Sequence, residues 1–298
     1  ACGSGHILVY GFELLHKIYE EEGYSPAEIP QLIIEKNLYG LEIDERAAQL
    51  AGFALMMKAR SYHRRFFRKE IKPNITCFTD LTLGADEITE IFKELHISLP
   101  KSLEEDLDLC RQATNLGSLI QPQTPLETLE AIHDKLTSAI ESSDLFIRSN
   151  IQELQRAISH LISLQKKYHC TVANPPYMGG GKMNAELSKF VKSKYPISKA
   201  DLFSCFIERS LSFIPQNGLN GLVTMESWMF LSSFEALRKK IIENTCIQSL
   251  THFGWHIMRI AFGTVTFILE KRRPDDKFRG TYSYMEIDNI NRETERPI

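Results

Sequence analysis

The chain has 298 residues, 43% hydrophobic and 10% aromatic, with Lys+Arg 35 against Asp+Glu 38 and a formal charge of -3. This composition excludes a disordered, fibrous or low-complexity protein, and the near balance of charge excludes a uniformly basic nucleic-acid coat. No apolar run approaches the roughly 18 residues that span a bilayer. The six cysteines are scattered, with no C-x-x-C pair and no histidines at zinc-site spacing, so reduced thiols, no metal and a cytoplasmic setting are expected.

The chain opens on a glycine turn, Ala1-Cys2-Gly3-Ser4-Gly5-His6, of the kind that follows a strand, and that first strand is expected outside these residues. Residues 6–22 place Leu8, Phe12, Leu15, Ile18 and Tyr19 at helical spacing and stop at Gly23. Ser25-Pro26-Ala27-Glu28 combines an N-cap serine, a first-turn proline and a capping-box glutamate, which predicts a second helix starting there. Residues 37–43 predict a strand, Asp44 the N-cap of a helix through Ala47, Leu50, Ala51, Ala54 and Leu55, and residues 75–78 another strand.

From 86 to 168 the pattern is helical, and within it residues 126–167 predict two antiparallel helices broken near Ser142-Ser143. That stretch reads as a helical insertion between an N-terminal part, 1–85, and a catalytic part, 169–298. Strands are expected at 170–173, 221–225 and 264–269, with helices at 201–214 and 234–243. Alternating strands and helices predict an α/β fold: an open, twisted, mostly parallel sheet with helices on both faces.

The most informative string is Asn174-Pro175-Pro176-Tyr177, directly after the apolar strand Thr171-Val172-Ala173, where open α/β sheets bind ligands. The bland reading of such a string is a proline turn. The chemical reading starts from the exocyclic amine of adenine, whose lone pair is delocalised into the ring and is a poor nucleophile. The Asn174 side-chain oxygen and the Pro175 carbonyl, held by two rigid rings, are two acceptors for the amine hydrogens. Bonding both pulls the nitrogen towards tetrahedral geometry and aims its lone pair at an electrophilic methyl, with no general base. Tyr177 offers a face on which the base can stack, and a base in a duplex must be flipped out to reach it.

A methyl donor has to be held opposite. Gly3-x-Gly5 permits close backbone approach, and Glu42, closing the next strand, can accept from ribose hydroxyls. The spacing from Gly5 to Glu42 exceeds the roughly twenty residues of a dinucleotide fold, which argues against a nicotinamide enzyme.

These residues resemble the S-adenosylmethionine-dependent, adenine-specific DNA methyltransferases that methylate amino groups. Ala1-Cys2-Gly3-Ser4-Gly5 resembles the latter part of their donor motif, Gly40-Leu41-Glu42-Ile43-Asp44 their ribose-binding motif, and Asn174-Pro175-Pro176-Tyr177 their catalytic tetrapeptide. Within that group, Tyr177-Met178-Gly179-Gly180, Met183-Asn184-Ala185-Glu186-Leu187, Ser198-Lys199-Ala200-Asp201-Leu202-Phe203 and Glu226-Ser227-Trp228-Met229-Phe230 are similar to the PglX group of BREX phage-defence systems. The resemblance implies S-adenosylmethionine as donor, double-stranded DNA with a flipped adenine as acceptor, and other defence proteins as partners. It implies that Ala1, Gly3, Gly5 and Glu42 hold the donor and that Asp201 and Phe203 help wall its pocket, with Asp80, chosen by position after the third strand, contacting the donor's adenine. Phe262 is implied as a second face for the flipped base, the alternative being a buried ring before a strand.

Two basic clusters bear on DNA. Residues 58–72 carry Lys58, Arg60, Arg64, Arg65, Arg68, Lys69 and Lys72 with aromatics between them, and read as a solvated helix end in preference to a phosphate contact. The segment after the tetrapeptide, with Lys182, Lys189, Lys192, Lys194 and Lys199, is the preferred backbone contact and is expected to be a pliable loop because of Gly179-Gly180-Gly181. His252 and His256 are spaced as a helical metal pair, yet Gly254 and the strand pattern around them favour a structural role. Two further readings stay open: a protein glutamine amide as acceptor, and a catalytically silent DNA-binding subunit.

Overall fold

The computed structural model describes residues 2–68, 70–142, 145–254, 262–286, 288, 290–291 and 296–297. They divide into two compact units, Ala1–Lys166 and Lys167–Ile298.

In the first unit α1 (His6–Glu21) begins after Gly5, whose φ of 84° is left-handed. An added Cβ there would stand 2.9 Å from Ala51, so only glycine brings this helix start so close to its neighbour. The second helix starts later than its capping signal predicts. Residues 25–28 form a turn in which the Ser25 carbonyl accepts from the Glu28 and Ile29 N–H groups, and α2 (Ile29–Leu32) then runs into a π-helical turn, Ile33–Asn37. The buried apolar set begins at Ile29 and includes Ile33 and Ile34, so core burial decides the start and overrides the local cap.

Strand β1 (Tyr39–Glu42) pairs in parallel with β2 (Asn74–Cys77), Glu42 opposite Cys77. Between them lies α3 (Glu45–Tyr62), capped as expected: the Asp44 carboxylate accepts from the Ala47 N–H at 2.7 Å. Phe12, Ile29, Ile33, Leu55 and Phe66 form the core around this pair. The helical stretch holds α4 (Ala85–Glu94), α5 (Lys101–Cys110), α6 (Ala113–Leu116), α7 (Leu126–Ser142) and α8 (Leu145–Gln165). The last two pack antiparallel, as the periodicity predicts, with Gln155 bonded to Thr137 and Arg148 to the Ile140 carbonyl.

The second unit contains β3 (Cys170–Ala173), α9 (Ala185–Lys194), α10 (Leu202–Phe213), β4 (Leu219–Met225), α11 (Glu235–Asn244), β5 (Cys246–Phe253), β6 (Thr264–Glu270) and β7 (Thr281–Met285). Its sheet has the order β3-β4-β6-β5-β7. Strands β3 and β4 are parallel, as are β5 and β7, whereas β6 is antiparallel to both β4 and β5. The α/β class is the predicted one. The reversal of β6 follows from the connection 254–263, shorter than the dozen or so residues a parallel crossover needs. Strands β8 (Ile290–Asn291) and β9 (Arg296–Pro297) form a separate antiparallel pair. Among the described residues no helix is long and apolar enough to cross a membrane.

Phe203 and Ile207 of α10, Leu237 and Ile241 of α11, Trp228, and Leu222, Val265, Phe267 and Leu269 of the sheet make the second core. Phe267 packs edge-on against Trp228, ring centroids 5.1 Å apart. Replacing Phe267 by alanine is expected to cost about 3–5 kcal/mol, from lost transfer energy and the cavity left behind; urea unfolding measures it.

Candidate active site

In the second unit the tetrapeptide follows β3 directly. Two consecutive prolines offer no N–H, so strand pairing stops at Ala173, opposite Leu222 of β4. Asn174 is exposed, Pro175 buried, Pro176 exposed and Tyr177 half-buried. The Tyr177 hydroxyl lies 3.1 Å from Asn174 Oδ1 and 3.3 Å from the Val223 carbonyl. The Asn174 carboxamide is thereby oriented, and its oxygen keeps one further lone pair. Among the described residues no donor bonds the Pro175 carbonyl. Two acceptor oxygens at adjacent positions therefore remain able to receive two N–H groups. Burial pushes the Tyr177 phenol above its ordinary pKa, so it stays a neutral donor.

Asp201 is locked to the segment after the tetrapeptide. Its Oδ1 accepts from the Met178 N–H (2.9 Å) and the Phe203 N–H (3.2 Å), the second as N-cap of α10. The Leu202 N–H reaches the Met178 carbonyl and the Gly180 N–H the Ala200 carbonyl, so residues 178–180 run antiparallel to 200–202. Burial raises the Asp201 pKa above the ordinary carboxylate value, opposed by these backbone N–H groups and by Lys182. The Tyr177 ring meets Phe203 edge-on at 6.0 Å and Phe262 at 5.9 Å with 66° between planes. Ala261 and His256 lie outside the described residues.

The lysine segment corrects the loop expectation. Residues 180–182 form a 3-10 turn, and Asn184 then caps α9 by accepting from the Leu187 N–H at 2.9 Å. Leu187 and Val191 bury one side of that helix, a helical spacing that the glycine and lysine runs mask in the sequence. Lys182, Lys189, Lys192, Lys194 and Lys199 are all exposed.

Sequence reasoning also missed Glu226. Its N–H donates to the Gly263 carbonyl at 3.1 Å, and its carboxylate pairs with His252 of β5. The His252 ring lies 4.9 Å from Tyr284 of β7. The Glu226 N–H holds Gly263, the residue after Phe262, and no local signal announces the pairing with His252 because the partners are 26 positions apart.

In the first unit the glycine turn and Glu42 come together. Glu42 is buried, and its Oε2 accepts from the Gly3 N–H at 2.7 Å while Oε1 accepts from the Ile43 and Asp44 N–H groups at 2.9 and 3.2 Å. Three N–H groups occupy three of roughly four carboxylate acceptor positions, leaving one for a ligand hydroxyl. Gly3 has a φ of 55°, with open space where a side chain would be. Asp80 stands exposed just beyond β2, two residues after Phe78, whose N–H bonds the Glu42 carbonyl. Glu42 and Asp80 therefore lie at the C-terminal ends of adjacent parallel strands, where α/β sheets bind ligands. Ala1 lies outside the described residues.

Among curated proteins, the chain is 38% identical over 288 residues to the adenine-specific methyltransferase BrxX of Escherichia coli O9:H4 (strain HS), covering 89% of this chain and 24% of that protein. It is 37% identical over 291 residues to the adenine-specific methyltransferase PglX of Lacticaseibacillus casei (strain Zhang), covering 95% of this chain and 24% of that protein. The chain thus spans about a quarter of the length of these relatives. Among solved structures, the ATP-dependent Type ISP restriction-modification enzyme LlaBIII bound to DNA shares the fold, with 16% identity and a TM-score of 0.53 over 96% of this chain and 17% of that one. The DrdV–DNA complex shares it as well, at 13% identity and a TM-score of 0.52, over 96% of this chain and 24% of that one. Residues 36–257 match the Eco57I restriction-modification methylase family, and with two relatives above one-third identity over most of its length the chain belongs to that family.

Proposed function

We propose that this chain transfers a methyl group from S-adenosylmethionine to the exocyclic amino group of adenine in double-stranded DNA, within a phage-defence or restriction-modification system. The observation that carries this reading is the pair of acceptors at 174 and 175: an exposed carboxamide oxygen oriented by Tyr177, beside a carbonyl with no donor among the described residues. The names of the BrxX and PglX relatives support the acceptor, and the DNA-bound neighbours support a DNA partner.

Asn174 and Pro175 receive the two amine hydrogens and localise the nitrogen lone pair. That pair forms the new N–C bond as the S–CH3 bond breaks and its electrons stay on sulfur; the surplus proton on nitrogen leaves to water. Pro176 stiffens the corner, and Tyr177 orients Asn174 while its ring backs the base. The rings of Tyr177 and Phe262 now touch edge to face, so seating a base against both requires Phe262 to swing outward. Bound S-adenosylmethionine supplies an electrophilic methyl on a sulfonium. The first unit suits its nucleoside half, with room beside Gly3, a close turn at Gly5, a free lone pair on Glu42 and the Asp80 carboxylate beyond β2. In the second unit Asp201 holds the segment after the tetrapeptide in place, and the donor contact that the resemblance implies for it is kept as a proposal.

The deciding experiment supplies the intact protein with methyl-labelled donor, duplex DNA and a cell-protein extract as competing acceptor, then digests the products. Label in N6-methyladenine is expected; label in a protein glutamine with none in DNA would overturn the reading, and so would the absence of donor binding. The lysines give a separate expectation. Converting Lys182, Lys189 and Lys192 to alanine is expected to lower the salt slope of DNA binding by roughly 0.9 for each phosphate no longer neutralised, which titrations at several ionic strengths measure.

A further inference from the structure

Residues 113–119 belong by sequence to the helical stretch, far from either donor motif, yet they meet the residues just beyond β1 and β2. The Thr114 N–H donates to Asp80 Oδ1 at 2.8 Å, and its hydroxyl lies 3.0 and 2.9 Å from Oδ1 and Oδ2. Asp80 is exposed, so without these bonds its carboxylate would sample several rotamers. Three positions further on, Gly117 is buried with a φ of 52°, and an added Cβ would stand 2.7 Å from Ile43 Cγ2. Ile43 donates its own N–H to Glu42 Oε1. One short segment therefore sets both the acid expected to meet the donor's adenine and the residue beside the acid expected to meet its ribose. Neighbouring bonds steady this arrangement: the Leu81 N–H reaches the Cys110 carbonyl, and the Thr82 hydroxyl reaches Glu153 of α8.

We infer that residues 113–119 form a wall of the donor site, taking the adenosine half of a sulfonium nucleoside, and that Thr114 is the positioning residue for Asp80. The inference rests on the proposed use of S-adenosylmethionine. Thr114 places its donors on one side of the Asp80 carboxylate and leaves acceptor capacity for an exocyclic amine. Gly117 is required because any side chain there displaces Ile43, and Glu42 with it.

S-adenosylhomocysteine is the probe, used with the intact protein. Thr114→Val is close in shape and removes only the hydroxyl bonds; it is expected to raise the dissociation constant about tenfold in calorimetry. Thr114→Ser is expected to stay within about twofold of the parent. Thermal unfolding and the KM for DNA should be unmoved in both, which separates positioning of Asp80 from general damage. Gly117→Ala is expected to weaken the probe at least as much as Thr114→Val. Hydrogen exchange with saturating probe should show protection at 113–119 together with the glycine turn. Protection of the turn with none at 113–119, or equal affinity in the valine variant, would overturn this inference and leave the donor reading standing. No saturable binding by the intact protein would overturn both.

Discussion

Replacing Asn174 by alanine is expected to lower kcat by roughly 100- to 1000-fold, the range seen when one preorganised group stabilising a transition state is removed. The residue is exposed, so stability should move by no more than about 0.5 kcal/mol. Donor affinity should not change, since no donor-site residue of the first unit is touched. Single-turnover kinetics with labelled donor separates these quantities. Tyr177→Phe should have a smaller effect, about 3- to 10-fold, because it removes one orienting hydrogen bond worth about 0.5–1.5 kcal/mol and leaves the ring. The mechanism also fixes a pH profile. Neither an amide oxygen nor a peptide carbonyl titrates, and burial holds the Tyr177 phenol above its usual value, so kcat should be flat from about pH 7 to 9. A steep limb in that interval would put a general base at the reacting nitrogen and refute the two-acceptor account.

Replacing Glu42 by alanine is expected to raise the donor's dissociation constant by about 100-fold or more and to destabilise the first unit by about 3 kcal/mol. The carboxylate serves two ends at once. It satisfies the N–H groups of Gly3, Ile43 and Asp44, and a hydrogen bond to a charged group contributes about 1.5–3 kcal/mol. It also keeps one lone pair for a ribose hydroxyl. With alanine the three N–H groups lose their partner and the glycine turn loses its side-chain tie to β1, while the bond from the Cys2 N–H to the Leu41 carbonyl remains. Glu42→Gln, which keeps one acceptor oxygen, should fall between the parent and the alanine variant. Calorimetry and urea unfolding read the two effects; unaltered donor affinity in the alanine variant would remove Glu42 from the site.

Much of this molecule is legible in its residues because the signals are local. A diproline after an apolar run ends a strand wherever it occurs, Asp44 caps the helix that follows it, and apolar residues three and four apart specify α7 and α8. The family resemblance rests on the same short strings. The misses have physical causes of equal clarity. Strand β7 is an edge strand whose residues Thr281 to Tyr284 are exposed, so no alternating apolar pattern marks it. Helix α9 hides behind three glycines and a run of lysines, although Asn184, Leu187 and Val191 carried a cap and a buried face.

What remained was settled by pairings between residues distant in the chain. The direction of β6 has no local signature, since a strand's side-chain alternation is the same whichever way it runs. The pairing of Glu226 with His252, the bonds from Thr114 to Asp80 and the approach of Gly117 to Ile43 join positions dozens of residues apart. Short-range sterics and capping write the elements and the catalytic corner into the chain itself. The partners that orient those groups are chosen only when burial brings separate segments together, because hydrogen bonds of this kind depend on distance in space and leave no periodic trace along the chain.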